Sequence, residues 1–311
     1  MKKVIYLISA LLLAGPGCLA QDNKPGGSML TDPAFNQVQN QFMDNQALAL
    51  LKEAGEVLAA HLPAWPEPEA RKSALLLLDG VFHDVYAPQR KPVQEFHKGR
   101  MKQAIHDIEQ SEIREGARIW KLYDHGFVIR TGSVCMGFDL IRGLSAGAEG
   151  FPIGRELMDR LIRQCDVLFI SHYHGDHAEE WVAQTFIDQG KPVVAPPSVW
   201  KDKEIHKRLT HLERVPHASQ TLPVKGGEQS LEVVMYPGHQ GENIENNVPL
   251  IRTPGGLTVA HMGDQSNSND FSWIDEVHRH FEVDVLLPNC WTTDIVRVTK
   301  GCQPAGVSLS L

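Results

Sequence analysis

A short apolar run, Asp166-Val-Leu-Phe-Ile170, opens directly into His172-Tyr173-His174-Gly175-Asp176-His177, so four metal-capable side chains sit within six residues at an expected strand end. Imidazole and carboxylate are ligands that zinc and similar divalent ions accept, and a tight loop leaving a buried strand can aim alternate side chains at one point. A solvated, histidine-rich turn is the bland alternative. Against it stands the helical spacing of Ala178-Glu-Glu-Trp-Val-Ala183, which completes a strand, ligand loop and helix in succession.

Two later segments have the same form. His239 lies in Tyr236-Pro-Gly-His239-Gln-Gly241, at the end of the strand-like Leu231-Glu-Val-Val-Met-Tyr236. Asp264 lies in His261-Met-Gly-Asp264-Gln265, just after the strand candidate Gly256-Leu-Thr-Val-Ala260, and Gly263 allows close backbone approach. Alone, a Gly-His or Gly-Asp pair is a common turn. In this order they reinforce one another.

On these residues the chain resembles the metallo-β-lactamase superfamily, from about Trp120 to the C-terminus, and is most like the branch of ascorbate-phosphate lactonases and phospholipase-D-type enzymes for N-acyl phospholipids. The resemblance implies an α/β fold, a four-layer αβ/βα sandwich with metals in the groove between the sheets. It implies one zinc on His172, His174 and His239, and a second on Asp176, His177 and a bridging Asp264. It also implies attack by metal-bound hydroxide on an ester, lactone, phosphodiester or amide, with Asp176 orienting the hydroxide and accepting its proton. Iron and manganese use similar His/Asp sets, so zinc is the expectation and not the sole candidate.

The family closes its second metal site with another histidine near the C-terminus, and none is offered here. After Asp264 come only His278 and His280, inside Phe271–Phe281, which reads as one amphipathic helix with surface or core-edge histidines. The tail 300–311 reads as the start of the last strand, and the expectation is a truncated or frame-shifted C-terminus.

The N-terminus has the form of an export signal: Lys2 and Lys3, an apolar Val4–Ala14, and Cys18-Leu-Ala20 as a cleavage site before Gln21. This points to a periplasmic or secreted protein. A lipoprotein anchored through Cys18 is the lesser alternative, and no segment reads as transmembrane. The expected organisation is a leader over 1–20, a linker and α-helical region over 21–117, and the sandwich over 118–311. The 311 residues are 42% hydrophobic and 22% charged, ordinary for a globular protein. Net charge is −8, and loss of Lys2 and Lys3 makes the chain more negative, which disfavours a nucleic-acid substrate and leaves a small-molecule or lipid-like one.

Helical spacing predicts three N-terminal helices, Phe35–Leu58, Pro68–Tyr86 and Val93–Ile113, forming a cap over the site or a homodimerisation element. Strands 118–123 and 127–131 flank the hairpin turn Asp124-His-Gly126, followed by strand 134–140, helix 155–164, strand 167–170, helix 179–188, strand 193–195 and helix 198–212. The scattered Cys135, Cys165, Cys290 and Cys302 read as buried thiols, with Cys290 a weaker metal-ligand candidate. Tyr173, Asn247, Trp291 and His125 read as packing or turn residues before substrate contacts. Two other functions compete with the hydrolase: a true β-lactamase, and a metal-poor, non-catalytic binding protein lacking the last ligand histidine.

Overall fold

The computed structural model describes residues 5–9, 33–63, 67–84, 86–143, 150–289 and 294–307. Two six-stranded sheets are stacked face to face. In chain order the first contains β1 (Ile5–Ser9), β2 (Ala117–Lys121), β3 (Phe127–Thr131), β4 (Cys135–Phe138), β5 (Val167–Phe169) and β6 (Val193–Val194), and its strands lie side by side in that order. The second contains β7 (Ser219–Val224), β8 (Gln229–Gln240), β9 (Ile244–Arg252), β10 (Thr258–His261), β11 (Val285–Leu287) and β12 (Gly306–Val307), again side by side.

Side-chain alternation along each strand builds the layers. Phe127 and Ile129 of β3, Val167 and Phe169 of β5, and Leu231, Val233 and Met235 of β8 point between the sheets. Their neighbours Val128, Leu168 and Ile170 point the other way, to helices α4 (Arg155–Gln164) and α5 (Glu180–Asp188). On the far face Val234 and Tyr236 meet α6 (Phe271–Ile274), α7 (Val277–His280) and α8 (Ile295–Cys302). Helix, sheet, sheet, helix is the four-layer αβ/βα sandwich expected above. At roughly 1.5–3 kcal/mol for each large apolar side chain removed from water, these three apolar layers dominate the fold's stability.

The N-terminal helices are α1 (Pro33–Ala60), α2 (Glu69–Phe82) and α3 (Lys91–Gln110), close to the expected spans, and they share the apolar layer outside the first sheet. Arg130 of β3 fixes the end of α3, donating to the carbonyls of Ile108 at 2.6 Å and Ser111 at 3.0 Å. Buried His97 of α3 stacks on Phe151 and meets Tyr123 edge-on, at ring separations of 4.5 and 5.2 Å. A groove of about 990 Å³ between α1 and the start of α3 shares no residue with the histidine loop. Within the span read as the leader, Ile5–Ser9 runs parallel to β2. The rest of the leader, Cys18, the linker, Cys290, Trp291 and residues 308–311 lie outside the described residues.

Two expected helices are corrected. Over 198–212 there is only a 3-10 turn, Glu204–Arg208. Thr210 is drawn into pairing with β6, donating to Val193 O at 2.8 Å and accepting from Ala195 N at 3.1 Å, so tertiary pairing overrides the helical spacing. The single helix over 271–281 is split into α6 and α7 at Asp275 and Glu276. Asp275 is taken by Arg297 of α8, at 3.0 Å from Nε, and the Gly301 backbone packs on Ile274 with no room for a side chain. The cysteine reading agrees with the described residues, where Cys135, Cys165 and Cys302 are buried and free.

Candidate metal centre

The parallel strands β4 and β5 end side by side, and their ends carry the first half of the site. Beyond β5 the chain continues with Ile170 N donating to Val194 O at 2.8 Å, then turns through the histidine loop, where His177 N and Ala178 N both donate to His174 O at 3.0 and 2.9 Å. That turn folds His172 and His177 back toward each other, with ring centroids 4.1 Å apart. His172 and His177 are buried, Asp176 and His174 are half-buried, and Tyr173 is 45% exposed with its ring edge-on to His174.

Asp139, just past β4, organises this loop from below. It is fully buried, with φ +44°, and accepts from Ser171 N and Ser171 Oγ, both at 2.7 Å, and from His177 Nδ1 at 2.8 Å. With its hydroxyl proton on Asp139, Ser171 Oγ is an acceptor for His172 Nδ1 at 3.0 Å. Both rings thus carry a proton on Nδ1 and turn Nε2 into the site. His174 turns the other nitrogen inward, its Nδ1 lying 2.9 Å from His172 Nε2.

The second sheet closes the site. Asp264 Oδ2 stands 3.3 Å from His177 Nε2 and 3.8 Å from His172 Nε2, between the two rings. Asp176 is 3.9 Å from His177 Nε2. Asp264 is held by Asn289 Nδ2 at 2.8 Å on Oδ1, Gln240 Nε2 at 2.9 Å on Oδ2, and Asn246 Oδ1, which accepts its backbone N–H at 2.9 Å. Gly263 packs directly on Ser171 and Asn246, joining the two loops. His239, at the end of β8, donates its backbone N and its Nδ1 to the two oxygens of Asp270, at 2.8 and 2.9 Å, which leaves Nε2 available. Its carbonyl accepts from Ser266 N at 2.9 Å in the segment following Asp264.

The electrostatics follow from crowding without solvent. Burial, reinforced by the charge of His177, holds the His172 imidazole neutral, well below the usual histidine range. Burial opposes charge on His177 too, yet Asp139 and Asp264 beside it prevail and raise it well above that range. Burial works against Asp264 as well, but the hydrogen bond and charge of His177 keep its carboxyl low. Asp176 is raised by burial. Burial likewise pushes Asp124 up to about 7, against the opposing charge of His177.

A cation suits this arrangement. His172 Nε2, His177 Nε2 and Asp264 Oδ2 lie within 4.8 Å of one another. His172 Nε2 accepts from His174 Nδ1 at 2.9 Å, a bond that a cation could replace. Of the six expected ligands, His172, His177 and Asp264 meet within 4.8 Å among the described residues, while His174, Asp176 and His239 do not join that group. His172, His177 and His239 each have Nδ1 anchored to an oxygen, as metal-binding histidines characteristically do.

Asp139, Ser171, Asn246, Asp270 and Asn289 were not anticipated from sequence. Asp139 alone had a signal, a carboxylate at a strand end like Asp264. Asn247, expected in a turn or on substrate, lies buried in β9, and its N–H donates to Ser171 O at 2.7 Å across the two sheets. His125 is buried against His261 and Phe127. His278 caps α8, bonding Gly301 O at 3.0 Å, and His280 stacks on His217.

The Asp139–His177 pair makes the metal-free protein pH-sensitive at two edges. Asp139 is depressed despite burial, chiefly by His177, so its contribution is whole above the ordinary value of 3.8 and lost as pH falls through its lower folded value. His177 is raised, so its contribution is whole below 6.5 and lost as pH climbs through its higher folded value. Thermal melts in chelator should show a plateau between these limits. Asp139→Asn should lower it and flatten both flanks; an unchanged profile would count against the pair.

No family model matches the chain, and no curated protein matches it. Solved structures similar to it include Igni18, described as a novel metallo hydrolase from the hyperthermophilic archaeon Ignicoccus hospitalis KIN4/I, at 17% identity and TM-score 0.44, covering 60% of this chain and 78% of that one. An isothiocyanate hydrolase from Delia radicum gut bacteria is 13% identical with TM-score 0.42, covering 62% and 83%. CmlA, a diiron β-hydroxylase from Streptomyces venezuelae, is 14% identical with TM-score 0.43, and the match covers 65% of this chain but 45% of CmlA. At these identities and scores, assignment of function rests on the chain's own residues. By its layers and strand order the chain has an αβ/βα sandwich fold of the metallo-β-lactamase type.

Proposed function

We propose that this chain is a metal-dependent hydrolase of the metallo-β-lactamase type, acting on an ester, lactone, phosphodiester or amide of a small or lipid-like molecule. The observation that carries the reading is the convergence of His172 Nε2, His177 Nε2 and Asp264 Oδ2 within 4.8 Å, each held from behind by a buried hydrogen-bond partner. His172, His174 and His239 would hold one ion, and Asp176, His177 and Asp264 a second, with Asp264 shared. Zinc is the first choice, and iron and manganese suit the same donors.

A bound ion of this kind supplies a Lewis acid for the scissile carbonyl or phosphoryl oxygen and makes a nucleophilic water accessible near neutral pH. The protein's part is orientation and proton handling. Asp139 and Ser171 fix the His172 and His177 rings, Asp270 fixes His239, and Gln240 and Asn289 aim Asp264. Asp176, raised by burial, is placed to take the proton of the attacking water and return it to the leaving group. Export, supported by Lys2, Lys3 and the apolar stretch after them, would put this chemistry outside the cytoplasm.

The test is a hydrolase panel of p-nitrophenyl esters, lactones, bis-p-nitrophenyl phosphate and a chromogenic cephalosporin, run on chelated protein and after restoring zinc, iron or manganese. Metal-restored turnover of one class, lost in His172→Ala, is expected. Inactivity of fully metallated protein on every class would favour a non-catalytic binder. A smaller effect is expected at Asp270→Ala: with His239 free to rotate, metal affinity should fall about 10–100-fold by chelator competition. Unaltered affinity would remove Asp270 from the site.

A further inference from the structure

Outside the centre, one pair of histidines has the same preparation for a ligand. His206, in the 3-10 turn, and His211, five residues on, bring their rings to a centroid separation of 4.6 Å at an interplanar angle of 36°. His206 Nδ1 lies 3.0 Å from Val199 O, and His211 Nδ1 lies 2.8 Å from Ala195 O. A carbonyl oxygen only accepts, so both rings donate from Nδ1, and Nε2 is the nitrogen that each has left for a ligand. Packing alone asks for one such cap, not for two neighbouring rings with the same nitrogen left over.

The setting is rigid. Both accepting carbonyls belong to the segment that follows β6, and Thr210, next to His211, is bonded to β6 on both sides. His206 is half-buried and His211 is exposed, so an ion could reach the pair from solvent. Lys203, Lys207 and Arg208 are matched by carboxylates, Glu180, Glu204 and Asp188 respectively. Local repulsion of a divalent ion is therefore small.

We infer that His206 and His211 form a second, independent site for a divalent transition metal, bound through two Nε2 atoms with water in the remaining positions. Among the described residues no third histidine, cysteine or carboxylate joins them, so the site favours ions that bind tightly to nitrogen, cupric above all. This assignment does not depend on the function proposed for the His172 centre.

Cupric ion is the probe. The full chain, first saturated with zinc, is titrated with copper beside His206→Ala and His211→Ala, neither of which touches the His172 centre. Copper that displaces zinc from the centre appears equally in all three and cancels. The expected result is one additional copper per chain at micromolar concentration in the unsubstituted protein, with nitrogen hyperfine coupling from two imidazoles in its electron paramagnetic resonance spectrum. Equal uptake by all three proteins overturns the site. Because either substitution also removes a backbone cap, histidine-ring NMR of the unsubstituted chain gives a second reading. Zinc should shift the ε2 nitrogens of His206 and His211 while both δ1 protons persist, and the absence of any shift at these nitrogens overturns the assignment.

Discussion

Asp264→Ala is expected to abolish metal-dependent turnover and to empty the centre, because it deletes the one carboxylate that stands between His177 and His172, at 3.3 and 3.8 Å. Removing a ligand to the proposed ions would forfeit several kcal/mol of transition-state charge stabilisation, about 10³-fold in rate or more. The hydrogen bond from Asn289 Nδ2 to the carboxylate is lost at the same time, and a bond to a charged group contributes about 1.5–3 kcal/mol. Elemental mass spectrometry of folded variant against parent is the decisive measurement. Retention of the parent's full metal complement would show that Asp264 is not a ligand. Retention of metal with loss of rate would leave it a role in the reaction alone.

The second large effect is expected from Gly263→Ala, one of the smallest substitutions available. Gly263 has φ +53°, and a Cβ there would run into Asn246 Oδ1 and stand 2.5 Å from Ser171 Cβ. The left-handed backbone costs about 1–2 kcal/mol for an alanine, and overpacking at a rigid contact adds about 1–3 kcal/mol. A total of roughly 2–5 kcal/mol should lower Tm by several degrees, about 2–4 °C for each kcal/mol in a domain of this size. The same displacement pushes Asp264 away from the histidine loop, so metal affinity should fall alongside Tm. A variant with unchanged Tm and unchanged metal content would mean that the two loops are not in contact in solution.

The histidine loop was legible in sequence because it is local: six consecutive residues, a strand before and a helix after. The N-terminal helices were legible for the same reason, since their apolar spacing repeats over many turns. Long-range partners left little trace. Asp139 reaches His177 from 38 positions away and Asp270 reaches His239 from 31, and neither separation is encoded in a pattern. β9 is hard to read because Asn246, Asn247 and Pro249 interrupt its apolar alternation, yet Asn247 bonds the second sheet to Ser171 beside the histidine loop and Asn246 holds the backbone of Asp264. The helix expected over 198–212 failed where Thr210 found a better partner in β6 than in its own turn.

Three of the four imidazoles expected as ligands have their Nδ1 anchored, on Ser171, Asp139 and Asp270. A ring so tethered cannot flip to offer its other nitrogen, nor swing outward to suit a larger ion. Discrimination among metals would then fall to the fixed spacing of the donors: such a cage would work as a gauge, leaving an ion of unsuited coordination with vacant or stretched bonds. An ion held there would be exchanged only as those anchors open, so its replacement would depend on the fold as much as on the abundance of competing ions.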